Sequence, residues 1–294
     1  MPAHAEDIAV THYRDVYPGI DIATRLKDAA KDKVIYITGA SRGIGESTVY
    51  AYAKAGASGI FITARSVADL ETVAANAKKI SPTVEVVPCA VDVTDAKQVG
   101  ESVRKCVDKF GRIDVAISNA GYLGRRAKIG DSDPDDWWMA VTVSVRGAFN
   151  VIHHSIKHLV QTKGYAILVS SAGAQIRHPT ASGYQSAKHQ LNRFAEFIQV
   201  EYGSEGVKVF SIHPGRVPTK LAMSEPSIIP YLTDKAELAA HAMVRLTSGS
   251  EDYLSGRYVS VDWDLDELAK RRKEIEEDDL LKNRLDVGSL ANAL

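Results

Sequence analysis

From residue 33 onward, short apolar runs alternate with longer stretches whose apolar positions recur every three or four residues. The short runs are "KVIYITG", "GIFITA", "VEVVPCAVD", "VAISNAG", "YAILVSSAG", "VKVFSIHPG" and "GRYVSVD". They are rich in β-branched residues and bounded by turn signals, which predicts seven buried strands. Between them the helical period predicts helices over "GESTVYAYAKAG" (stopping at Gly56), Val67 to Ile80, Lys97 to Phe110, Tyr184 to Tyr202 and Lys235 to Ser248. A long helix opens at "DSDPDDWW", with Asp133 as N-cap, Pro134 at the first helical position and acids in the first turn. Strand and helix in alternation mean parallel pairing through crossover helices, so the fold class is α/β, a doubly wound, mostly parallel seven-stranded sheet with helices on both faces.

The ends depart from this rhythm. Residues 1–31 are weakly patterned around the turn signal "YPGID" and are expected to form an extension packed on the main domain, residues 32–263. The tail, residues 264–294, is charge-dense around "KRRKEIEEDD", which predicts a solvated helix carrying i,i+4 pairs.

Composition narrows the function. Lys and Arg total 36 against 37 Asp and Glu, a net charge of −1, which leaves no electrostatic footprint for nucleic acid or an anionic membrane. No apolar run approaches the roughly 20 residues that span a bilayer. The N-terminal "MPAHAEDIAV" lacks the apolar core of a secretory signal. The two cysteines, Cys89 and Cys106, suggest a reducing compartment. A cytoplasmic protein is expected.

The candidate chemistry begins at "TGASRGIG", between the first strand and first helix. Gly39, Gly43 and Gly45 allow a sharp turn and close approach to a pyrophosphate, and the helix behind them offers unpaired N–H groups and a positive dipole end. After the second strand, where an acid would accept from a ribose 2′-hydroxyl, "ITARS" carries Ala64 and Arg65 instead. Arg65, with Arg42 from the glycine loop, suits a 2′-phosphate, so NADP(H) is the expected cofactor. In "YQSAK", Tyr184 and Lys188 stand one helical turn apart on one face. Such a pair is either a surface contact or a phenol whose proton has been made available.

In sequence order, "TGASRGIG", "DVT", "SNAG", "SSAG", "YQSAK" and "HPGRVPT" resemble the motifs of the short-chain dehydrogenase/reductase family over residues 33–263, and "DWDLDEL" in the tail resembles a fungal subgroup. The resemblance implies a Rossmann-like oxidoreductase that moves hydride between nicotinamide and a carbonyl or secondary alcohol, most simply a ketone reductase. It implies Tyr184 as general acid, Lys188 as the group that lowers the phenol's pKa from about 10 and binds the nicotinamide ribose, and Ser171, not Ser170, as hydrogen-bond donor to the substrate oxygen. Carried over residue by residue, Gly39, Ser41, Arg42, Gly43, Ile44 and Gly45 form the phosphate loop. Asp92 and Val93 lie near the adenine, and Asn119, Ala120 and Gly121 beside its ribose. Pro214, Gly215, Val217 and Thr219 wrap the nicotinamide, and Arg146 borders the cleft. The family's substrate pocket falls on Gln175 to His178, on Tyr122 and Leu123, and on a mobile lid after Thr219 that includes Met223 and Tyr231. Partners implied are a small-molecule substrate and identical subunits in a homodimer or homotetramer.

One departure stands out. The family's relay asparagine on the long helix corresponds here to Ser144, which is shorter and offers fewer hydrogen bonds. His153, His154 and His158 lack both the glutamate and the third ligand of a zinc site, so no metal is expected. Trp137 and Trp138 read as packing residues, and Arg125 and Arg126 stand near the substrate mouth, where they could favour an anionic or oxygen-rich substrate. Two rival readings use the same fold: reduction of an imine or enone, and a non-catalytic NADP(H)-binding regulator. A degenerate member would lose the tyrosine or lysine, and both are present.

Overall fold

The computed structural model describes residues 8–285. The seven predicted strands form one sheet, β1 (Val34–Thr38), β2 (Gly59–Ala64), β3 (Glu85–Ala90), β4 (Val115–Ser118), β5 (Tyr165–Val169), β6 (Lys208–His213) and β7 (Arg257–Ser260). Their order is β3-β2-β1-β4-β5-β6-β7 and every pairing is parallel. The chain starts at the centre, winds outward to β3, then returns to wind outward to β7. The reversal between β1 and β4 opens a crevice at the strands' carboxyl ends.

The helices are α1 (Gly43–Lys54), α2 (Val67–Ile80), α3 (Ala96–Phe110), α4 (Pro134–Val141), α5 (Gly147–Thr162), α6 (Ser182–Tyr202), α7 (Ala236–Leu246), α8 (Leu265–Lys270) and α9 (Arg272–Glu277). One apolar layer packs α1, α2 and α7 on one face of the sheet, and the other packs α3, α5 and α6 on the opposite face. Asp133 caps α4 as expected, accepting from the amides of Asp135 and Asp136. The long helix is interrupted at Thr142–Arg146 by a π turn that joins α4 to α5.

The described parts of the extension and the tail are built into the body more firmly than the sequence suggests. Tyr17, Ile20, Ile22 and Leu26 of the extension are buried in the core. The tail is not simply solvated: Leu265, Leu268 and Ile275 bury one side of α8 and α9, while Arg272–Glu276 and Lys273–Glu277 form the expected i,i+4 pairs outside. Thr11 and Tyr13 pair by backbone with Asp264 and Asp262, and the Tyr17 hydroxyl accepts from the Leu265 amide. Arg245, fully buried on α7, donates to Glu251, to the Gly19 carbonyl and to Asp266. One guanidinium thus ties the extension to the tail. Residues 286–294 of the predicted tail lie outside the described residues.

Candidate active site

A cleft of about 1050 Å³ runs along the carboxyl ends of the strands. At one end lies the glycine loop. Gly39 and Gly43 adopt φ of +65° and +61°, and a Cβ on Gly45 would fall 2.3 Å from the Gly39 carbonyl, so larger residues cannot fold into this turn. Arg42 precedes α1, and no side chain caps the amides of the helix's first turn. The loop is held from β4: Asn119 donates through Nδ2 to the carbonyls of Thr38 and Gly39, each at 3.0 Å. Arg42 and Arg65 both line the cleft and are exposed, and among the described residues neither has an ion-pair partner.

At the other end, β5 and α6 bring the candidate catalytic side chains together. Ser170 and Ser171 diverge as neighbours on an extended chain must. The Ser170 hydroxyl donates to the Lys188 carbonyl at 2.9 Å. Ser171 Oγ accepts from the Gly173 amide at 3.0 Å, and Gly173 is bordered by both Ser171 Oγ and the Tyr184 ring. Lys188 Nζ lies 5.6 Å from the centroid of the Tyr184 ring and donates to the Val169 carbonyl at 2.8 Å. Burial lowers the Lys188 pKa to about 8. Burial also raises the Tyr184 pKa, against the lowering effect of Ser171. The net direction is opposite to the one the resemblance implies: at this phenol desolvation exceeds the opposing influences.

Every residue predicted to hold the cofactor lines this cleft except Arg146, which is exposed and lies outside its wall. Ser144 is buried inside the π turn with an unpartnered Oγ, and it too lies outside the wall. Of the predicted substrate pocket, Tyr122, Leu123, Ile176, His178 and Tyr231 line the cleft. Gln175 and Arg177 do not, and Met223 is exposed outside it. Trp137, read from sequence as packing, lines the cleft and donates from Nε1 to Ser182 at 3.0 Å. His154 packs against Gly100 of α3.

Sequence reasoning also missed Asp69, His213, Asp262 and His12 in the cleft wall. Asp69 was visible as an acid in the first turn of α2, just past Arg65. His213 ends β6, and burial pushes its pKa down to about 4, so it is neutral at pH 7. His12 arrives from the extension, bonded to Asp262 at 2.9 Å, a contact between distant positions that no local pattern announces.

A seven-stranded parallel sheet of this order, with a glycine loop at its switch point and a Ser, Tyr and Lys gathered beyond β5, defines a dinucleotide-dependent oxidoreductase fold. The family model "short chain dehydrogenase" matches residues 33–228, and the chain belongs to the short-chain dehydrogenase/reductase family. It is similar to fungal members. It shares 37% identity with the short chain dehydrogenase pigC of Monascus ruber, over 94% of this chain and 93% of that protein. It shares 31% with andI of Emericella variicolor, over 94% and 96%. Among solved structures, levodione reductase matches with a TM-score of 0.73 and 25% identity, covering 79% of this chain and 96% of that one. The 3-ketoacyl-(acyl-carrier-protein) reductase of Brucella melitensis, complexed with NADH, matches at 0.72 and 25%, covering 79% and 98%. The fungal alignments reach over more of this chain than those to the two solved structures do. The chain is therefore an oxidoreductase of this family, with a nicotinamide-binding fold, acting on CH–OH or C=O groups. Among the described residues no helix is long and apolar enough to cross a membrane.

Proposed function

We propose that the protein is an NADP(H)-dependent reductase of ketones, working through Ser171, Tyr184 and Lys188. The observation that carries this reading is their convergence, with the Lys188 ammonium over the Tyr184 ring, in the same cleft as the glycine loop. Bound NADPH would supply hydride to the carbonyl carbon. The residues of this chain do the rest. Tyr184, kept protonated by burial, gives its proton to the carbonyl oxygen. Ser171 donates to the same oxygen as negative charge develops there. Lys188 places a positive charge behind the phenol and steadies it as the proton leaves. Exposed Arg42 and Arg65 favour NADP(H) over NAD(H), since each can donate to a 2′-phosphate.

In this reading residues 32–263 form the catalytic domain, residues 1–31 an extension and residues 264–294 a tail, and the enzyme works in the cytoplasm. The exposed faces of α5 and α6 support a homodimer or homotetramer: Phe149 and Phe194 lie 6.2 Å apart across the two helices, and Phe197 and Val200 continue the apolar strip into solvent. The test is a carbonyl panel with NADPH and NADH followed at the nicotinamide absorbance. Ketone-dependent oxidation of NADPH, faster than that of NADH, is expected, and cofactor binding with no turnover of any carbonyl would overturn the proposal.

A further inference from the structure

We infer that the substrate end of the cleft is built for a bulky, uncharged, mainly apolar ketone, and that the enclosed arginine at its mouth, Arg126, does not bind an anion; this rests on the reductase reading above. The walls beyond Tyr184 are supplied by Leu123, Trp137, Ile176, Leu221, Ile228 and Tyr231. They come from four separate segments of the chain, so an apolar lining is not the by-product of one helix.

Several polar groups among them are committed to one another. The Asp136 carboxylate accepts from the Tyr122 hydroxyl at 2.5 Å and from the Arg125 amide at 2.7 Å. The same contacts hold its carboxyl below the usual carboxylate range, so it is ionised at neutral pH beside the Arg125 charge. Arg126 is largely enclosed and joins three loops. It donates to Ser227 Oγ at 2.9 Å and to the Pro179 carbonyl at 3.2 Å, contacts His178 Nδ1, and faces the Glu225 carboxylate at 3.8 Å. Glu225 is in turn held below its usual range, first by Ser227 and also by Arg126. Of the two arginines, the enclosed Arg126 thus faces a carboxylate, whereas Arg125 engages Asp136 through its amide and its side chain is exposed. Lys220 lines the cleft as well, between Thr219, whose methyl would meet a Cβ on Gly43 at 3.2 Å, and Leu221 of the apolar wall. Beyond Arg126, the Ser171–Tyr184 pair and apolar surface face the substrate.

A carboxylate passing Arg126 into this end would lose water against apolar walls and meet a guanidinium already facing Glu225, an outcome costly in a partly enclosed site. The experiment compares a tetralone carboxylic acid with its methyl ester, at neutral pH, in the enzyme loaded with NADP(H). Two readouts are used: quenching of tryptophan fluorescence on binding to the NADP⁺ complex, which needs no turnover, and kcat/KM with NADPH. The ester is expected to bind and react at least about tenfold better than the acid, a difference of 1.4 kcal/mol. Equal binding, or tighter binding of the acid, would overturn the inference. Glu225→Gln uncovers the Arg126 charge and should narrow the ester-to-acid ratio by about tenfold. The double change Arg126→Gln with Glu225→Gln removes both charges and should restore the wild-type ratio. An unchanged ratio in E225Q, or no recovery in the double variant, would also overturn it. Should the ester bind and never be reduced, the reductase reading fails while the class of ligand stands.

Discussion

At the scale of single residues, Lys188 joins function to a stability cost. Its ammonium is buried and its pKa falls from 10.5 to about 8. Below pH 8 the lysine is protonated folded or unfolded, and the folded state carries the full desolvation cost. Between about 8 and 10.5 the unfolded chain binds more protons, so stability rises with pH across that window. Replacing Lys188 with Met should raise unfolding free energy at pH 7 by about 1 to 3 kcal/mol, and by less at pH 10, while abolishing turnover. Urea melts at the two pH values check this, and a loss of stability in the variant would contradict it. Tyr184→Phe should lower kcat by about 100- to 10,000-fold with NADPH binding retained, and a rate above about a tenth of wild type would remove its role as proton donor. Arg65→Asp should lower kcat/KM with NADPH by roughly 10- to 100-fold and leave NADH nearly unaffected. A wild-type preference for NADH would refute the cofactor assignment, and Asp69 in the same stretch of wall makes that a real contest. The glycine loop and the one-turn separation of Tyr184 and Lys188 were legible from local spacing, whereas Ser171 was singled out only by the resemblance. The direction of the Tyr184 shift was not, since desolvation depends on everything packed around the phenol.

At the scale of elements, the seven strands and six major helices follow the periodicity closely, because a buried strand and an amphipathic helix each write their burial into adjacent residues. The π turn does not. Thr142–Arg146 forms a π turn within the long helix, with Ser144 buried inside it and Arg146 exposed, outside the wall where the family resemblance had set Arg146. The tail was misread for a related reason: the dense charges of α9 hide the single buried Ile275. Arg245 is another feature of element packing with no local signal. Arg245→Met should destabilise the protein by about 3 to 5 kcal/mol, since it leaves the Glu251 carboxylate buried and stripped of its cation. Arg245→Met combined with Glu251→Leu should recover most of that loss, and failure to recover would show that the Gly19 and Asp266 contacts matter more.

At the scale of the whole molecule, the apolar strip across α5 and α6 should be covered by a second copy. Light scattering at micromolar concentration is expected to return a dimer or tetramer, and Phe197→Glu to shift it toward monomer; a monomeric wild type would rule out this surface as an interface. The clasp centred on Arg245 has a further consequence for how the molecule opens. Segments at the two ends of a chain ordinarily fray first and independently, so their amides exchange with solvent fastest. Here the amides of Tyr13 and Asp264 are held by residues of the opposite terminus. Neither of these two segments can peel away without releasing the other, and their backbone hydrogens should exchange together, at the slow pace of the sheet rather than that of loose ends. Within the described residues, a protease seeking a first cut would then find its opening away from them.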